Sequence, residues 1–154
     1  MSDLPVMDLS NYIPALLTSL NNKLSAGASA CYREHFGIGV VEWRVLAMLA
    51  VEDNIPANRI CQVVGLDKAA VSRTLQAIEK KGYISSLLDK EDARRMVLSL
   101  TPAGQALYTE VWKVASQREQ LLLATLSPDE ISAFVKTLNK MYAQLDAVNA
   151  VSPD

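Results

Sequence analysis

Near the start of the chain, apolar residues recur at Ile13, Leu16, Leu17, Leu20, Leu24, Ala28 and Cys31, the three-and-four spacing that lines one face of a helix. This predicts a long amphipathic helix from Asn11 to about Phe36, with Asn11 as its cap because Pro14 is tolerated only in a first turn. Gly37 and Gly39 end the segment, and Val40 to Val51 reads as a second, largely buried helix containing Trp43, Leu46, Ala47 and Ala50. Asp53-Asn54-Ile55-Pro56 breaks the pattern and opens a short helix, Ala57 to Val64, with apolar Ile60, Val63 and Val64.

Gly65-Leu66-Asp67 is a tight turn in which Gly65 suits the left-handed residue after a helix and Asp67 can cap the next one. The helix that follows, Lys68 to Lys81, sets Val71, Leu75 and Ile78 on one face. Two short helices joined by a glycine turn make a helix-turn-helix. Tyr83 to Leu88 and Met96 to Leu100 are β-prone runs, the second alternating Met96, Leu98 and Leu100 against Val97 and Ser99, and they flank the charged loop from Asp89 to Arg95. Thr101-Pro102 starts a further helix striped by Leu107, Val111, Val114 and Leu121. Ser127-Pro128-Asp129-Glu130 is a capping box that opens one last helix bearing Ile131, Phe134, Leu138, Met141, Leu145 and Val148. The fold class expected is mainly α with a small β-hairpin wing: a single domain over residues 1–154, with a winged helix-turn-helix at 40–100 and helices at 10–36 and 101–148 left for dimerisation.

Charge changes this picture more than composition does. A net charge of −2 is unusual for a nucleic-acid binder, but residues 56–100 carry eight basic side chains against five acidic ones, a local +3, while the flanking segments are both acidic. The middle of the chain is therefore the part suited to phosphate. With Val71, Leu75 and Ile78 turned inward, Lys68, Ala69, Ser72, Arg73 and Gln76 remain on the outer face of the helix, a surface of donors and little bulk that fits base edges and phosphates. The hairpin loop, with Lys90, Asp92, Arg94 and Arg95, is long enough to reach the adjacent minor groove.

These residues carry a family resemblance. Leu66-Asp67-Lys68-Ala69-Ala70-Val71-Ser72-Arg73-Thr74-Leu75, continuing to Glu79-Lys80-Lys81-Gly82-Tyr83-Ile84, is similar to the recognition helix and first wing strand of the MarR family of winged-helix regulators. Asp92-Ala93-Arg94 at the loop, Val97 to Gly104 after it, and Glu42-Trp43-Arg44-Val45-Leu46 before it resemble the same family. The resemblance implies a homodimer whose first and last helices intertwine, reading double-stranded DNA at a pseudo-palindromic operator, acting as a repressor and released by a small aromatic carboxylate. Arg33, His35 and Trp43 lie near the expected junction of the first two helices and are the candidate ligand residues, although the stronger reading makes Trp43 core and Arg33 and His35 a surface turn.

Other chemistry finds little purchase. Cys31 and Cys61 are 30 positions apart without a CxxC pair, and His35 is the single histidine, so neither a zinc site, a cofactor nor an enzymatic triad is expected. The family's peroxide sensors place a cysteine near the start of the first helix, where this chain has Asn11-Tyr12-Ile13-Pro14; a thiol-switched regulator is a rival reading, and a winged-helix protein-interaction module is another. No apolar run reaches the roughly 18 to 20 residues needed to span a bilayer, no basic segment followed by an apolar one opens the chain, and a cytoplasmic location is expected.

Overall fold

The apolar pattern resolves into a helical framework that carries one hairpin. The computed structural model describes residues 3–154, divided into two compact units, one running through Lys113 and the other Val114–Asp154. The first contains α1 (Ile13–Phe36), α2 (Val40–Val51), α3 (Ala57–Val64), α4 (Lys68–Lys80), β1 (Ile84–Leu88), β2 (Met96–Leu100) and the start of α5 (Pro102–Leu122). The boundary falls within α5, and α6 (Pro128–Tyr142) and α7 (Leu145–Asn149) follow it.

In the first unit α2 is the hub, packed against α1, α3, α4 and β2. Its Val45, Leu46 and Leu49 are buried with Ile60 of α3 and with Val71, Leu75 and Ile78 of α4, each such burial contributing about 1.5–3 kcal/mol. Gly65 takes a left-handed conformation, φ 75°, and gives its N–H to Cys61 O, which turns the chain between α3 and α4. Asp67 then caps α4, its carboxylate accepting from the Ala70 N–H at 2.8 Å. At the opposite end, Lys81 Nζ donates to Glu42 at 2.8 Å and to the Gly37 carbonyl at 3.0 Å, tying α4 to α2 and to the end of α1. The Arg59 guanidinium bonds both oxygens of Glu52 at 2.6 and 2.9 Å, joining α3 to the end of α2 and holding the Glu52 carboxyl below the usual carboxylate range.

The hairpin is antiparallel, with Ile84 opposite Leu100 and Leu88 opposite Met96. Asn54, left-handed at φ 53°, aims Ile55 at β2, and Ile55 exchanges backbone hydrogen bonds with Leu98 at 2.8 and 3.3 Å. Thus β2 lies between two extended neighbours, and the expected alternation along it is corrected: consecutive Val97 and Leu98 are both buried, while Met96 at the strand end is exposed.

Helix boundaries also need correction. Tyr12, not Asn11, is the cap residue of α1; the Asn11 side chain instead donates to Asp8 at 2.7 Å, in the turn before the helix. The last helix is two, because after Tyr142 the chain leaves regular helix until Leu145. Its start is as expected, with Ser127 Oγ accepting from the Glu130 N–H and Glu130 accepting from the Ser127 N–H, both at 3.1 Å. Among the described residues no helix is long and apolar enough to cross a membrane.

Thr101 closes the hairpin, bonding through Oγ1 to the Gly82 carbonyl at 2.6 Å and through its N–H to the Tyr83 carbonyl at 3.1 Å. That approach brings α5 onto the Tyr83 peptide, and a Cβ on Gly104 would fall inside the Tyr83 carbonyl oxygen, a backbone atom that cannot step aside. Gly104→Ala should accordingly destabilise the protein by about 1–3 kcal/mol in urea unfolding. The exposed neighbour change Ala103→Gly should cost no more than about 1 kcal/mol; equal stabilities of Gly104→Ala and wild type would mean that α5 does not approach so closely.

Candidate nucleic-acid interface

Burial of Val71, Leu75 and Ile78 fixes the rotation of α4, and with it the side chains presented outward. Lys68, Ala69, Ser72, Arg73 and Gln76 are all exposed. They do not form one patch. Lys68, Ser72 and Gln76 edge a cleft of about 460 Å³ shared with Asn58 and Cys61 of α3 and Met96 of β2. Arg73, one residue round the helix from Ser72, lies on the other flank, in a smaller cleft of about 280 Å³ with Ser29, Arg33 and Gly39.

The hairpin tip is organised by two aspartates. Asp92 Oδ1 accepts the Arg94 backbone N–H at 3.1 Å and its Nε at 3.3 Å, and the Arg95 N–H donates to the Asp92 carbonyl at 3.0 Å. Asp89 closes the mouth of the loop: its N–H donates to the Arg95 carbonyl at 2.8 Å, its carboxylate accepts the Glu91 N–H, and the Arg95 guanidinium approaches that carboxylate to 3.3 Å. Arg94 therefore projects, with its side chain 92% exposed, whereas Arg95 is held back along the loop at 53%. Lys90 is exposed at the same tip. Asp89 had no assigned role in the sequence reading, although an acid at the mouth of a hairpin opposite an arginine is the pattern that signals such a brace.

The three candidate ligand residues are not brought together. Arg33 faces the cleft with Arg73, and His35 is exposed beside Glu34 at 4.0 Å and the Phe36 ring. Trp43 belongs to an aromatic cluster, stacked on Tyr108 with centroids 5.5 Å apart and on Trp112 at 6.5 Å, with the Tyr32 ring edge-on at 6.1 Å. It also edges a groove of about 550 Å³ with Arg44, Ala47, Met48 and Val63. Val63 is half exposed there rather than part of the core. Cys31 and Cys61 are free, half-buried thiols.

A helix-turn-helix whose second helix offers a polar outer face, followed by a hairpin tipped with a projecting arginine, defines a winged-helix DNA-binding protein. Comparisons with known proteins agree. The sequence model of the MarR family matches residues 36–95. The HTH-type transcriptional regulator YdgJ of Bacillus subtilis (strain 168) is 26% identical over 134 residues, 87% of this chain and 79% of that protein. Among solved structures, a MarR/EmrR family transcriptional regulator from Acinetobacter sp. ADP1 is 34% identical, with 92% of this chain and 99% of that one covered and a TM-score of 0.86. The MepR–DNA complex of S. aureus shares the fold at 24% identity, 90% and 99% coverage and a TM-score of 0.80. The chain belongs to the MarR family, and it is a DNA-binding transcriptional regulator.

Proposed function

We propose that the chain is a homodimeric repressor that reads a pseudo-palindromic operator, with α4 of each copy in a major groove and the hairpin tip in the adjoining minor groove. Lys68, Ala69, Ser72, Arg73 and Gln76 meet bases and phosphates, Arg94 enters the minor groove with Asp92 steering it, and Lys90 meets backbone. Arg95, paired with Asp89, braces the wing. The observation that carries this reading is the contrast at the tip: one arginine projects into solvent while its neighbour is anchored to the loop. The S. aureus relative solved with DNA lends support from the fold it shares.

Dimerisation is supported by what the helices leave uncovered. Of α1 only Ala28 and Tyr32 are buried, and Ile13, Leu16 and Leu20 stay exposed. Considered separately, the second unit has no buried residue in α6 or α7, while Phe134, Val135, Leu145 and Val148 lie open. Apolar surface on this scale marks an interaction site, and a second copy covers it with closed two-fold symmetry.

The reading extends to release by a small aromatic carboxylate, seated in the groove that Trp43 and Arg44 line together with the Glu52–Arg59 pair, whose carboxylate is already neutralised. Arg44 donates to the uncharged Ser25 hydroxyl at 3.0 Å, which leaves its charge available to an anion. Arg33 and His35 have no part in this seat.

Three outcomes are expected. Arg94→Ala should lower operator affinity about tenfold, the order expected when a bound guanidinium is lost from each half-site, with the largest loss on A·T-rich flanks. Arg95→Ala should loosen the wing and lower affinity less; a reversed ranking in gel retardation contradicts the assignment at the tip. Leu138→Glu should give monomers by light scattering and abolish DNA binding, while Lys140→Glu leaves both intact; a dimeric Leu138→Glu protein argues against the interface. A hydroxybenzoate panel should include a compound that quenches tryptophan emission and weakens operator binding, with both responses lost in Trp43→Phe. Quenching that persists unchanged in that variant moves the seat elsewhere.

A further inference from the structure

Arg33, at the end of α1, and Arg73, on α4, come from segments 40 residues apart yet edge the same cleft of about 280 Å³, with Ser29, Gly39, Glu42 and Thr74 around them. Among the described residues neither guanidinium has a carboxylate partner. The one acid in the cleft, Glu42, is already bonded to Lys81 at 2.8 Å. With Glu42 engaged by Lys81, the two guanidinium groups on this cleft repel each other.

The backbone has made room for this arrangement. Gly39 sits at φ −88° and ψ 173°, a conformation open to any residue, at the cap of α2, where Ser, Thr, Asp or Asn would supply a side-chain bond that is absent here. A Cβ at this position would come 3.2 Å from Arg33 Nη2 and 3.5 Å from its Nε. The missing side chain thus gives the Arg33 guanidinium its place against the start of α2, beside the flank of α4 that carries Arg73.

We propose that Arg33 and Arg73 form a clamp for one phosphodiester of the DNA backbone, and that Arg33 is a DNA-contacting residue outside the helix-turn-helix. The inference rests on the DNA reading proposed above. A helix seated in a major groove about 12 Å wide has a phosphate strand along each flank. One flank of α4 faces α3 and the hairpin; the other is the flank of Arg73, where Arg33 is the neighbouring cation. A phosphate oxygen pair takes guanidinium donors in bidentate geometry and removes the repulsion between the two arginines. The clamp fixes the depth and register of α4 without reading sequence.

The test uses a duplex that the wild-type protein selects from random-sequence DNA. Arg33→Gln, checked for unchanged circular dichroism and dimer mass, should bind it about tenfold more weakly, with the same relative loss on mismatched duplexes, and with a salt dependence shallower by about one released counterion per half-site. Arg33→Lys should recover part of the loss. Methylphosphonate scanning of the duplex should reveal one position per half-site where neutralising the phosphate weakens the wild type more than it weakens Arg33→Gln or Arg73→Gln, and leaves the double variant unaffected. The Arg33→Gln/Arg73→Gln double variant should lose less than the product of the two single losses. Wild-type affinity and salt slope in Arg33→Gln, or a scan with no shared position, overturns the clamp and leaves the DNA reading standing. Failure of the wild-type protein to select any duplex overturns that reading, and the clamp with it.

Discussion

The face that α4 presents to a nucleic acid depends on three side chains turned away from it. Val71, Leu75 and Ile78 are packed against the α2–α3 core with at most 8% of their surface exposed, and a helix held by one apolar line has its rotation fixed. The Asp67 cap and the Lys81 ties then fix the two ends of α4. With rotation and both ends set, Ser72 and Gln76 are committed to one flank and Arg73 to the other. The polar face could be exchanged residue by residue without disturbing this packing.

The electrostatics follow a similar division. The chain as a whole is acidic, and its basic groups are concentrated where the fold puts a helix and a loop side by side. Two arginines that brace the structure are neutralised locally, Arg59 by Glu52 and Arg95 by Asp89. Arg73 and Arg33 lack such carboxylates, and the Arg94 side chain extends into solvent even as its Nε touches Asp92. Net charge is thus a poor guide to the partner; the distribution of unneutralised guanidinium groups is a better one.

Much of this could be read from the sequence because it is written in local signals. The Gly65 turn, the Asp67 cap, the Ser127 capping box and the inward line of α4 each depend on residues a few positions apart, and each appears in the structure. Misses occurred where no periodic or capping signal marks what the chain does. Asn11 has the chemistry of a helix cap, but Asp8 engages it. Ile55 is a single bridging residue with no periodicity to reveal it, and its pairing with Leu98 is what puts β2 between two neighbours. The break after Tyr142 contains neither Gly nor Pro and interrupts a continuous apolar pattern. For the site, the outer face of α4 and the wing loop were legible, whereas the convergence of Arg33 on Arg73 needs the fold, since nothing in the spacing of two arginines 40 residues apart announces a shared cleft.

The central claim is that α4 and the hairpin tip of each copy occupy a major groove and its neighbouring minor groove. Hydroxyl-radical and dimethyl sulfate footprinting of the wild-type protein on a selected operator tests it most directly. The account predicts guanine N7 protection in two major-groove segments centred about 10 base pairs apart, or a multiple of that spacing, with minor-groove protection on the outer side of each. A single protected segment, or protection confined to one groove, would contradict it.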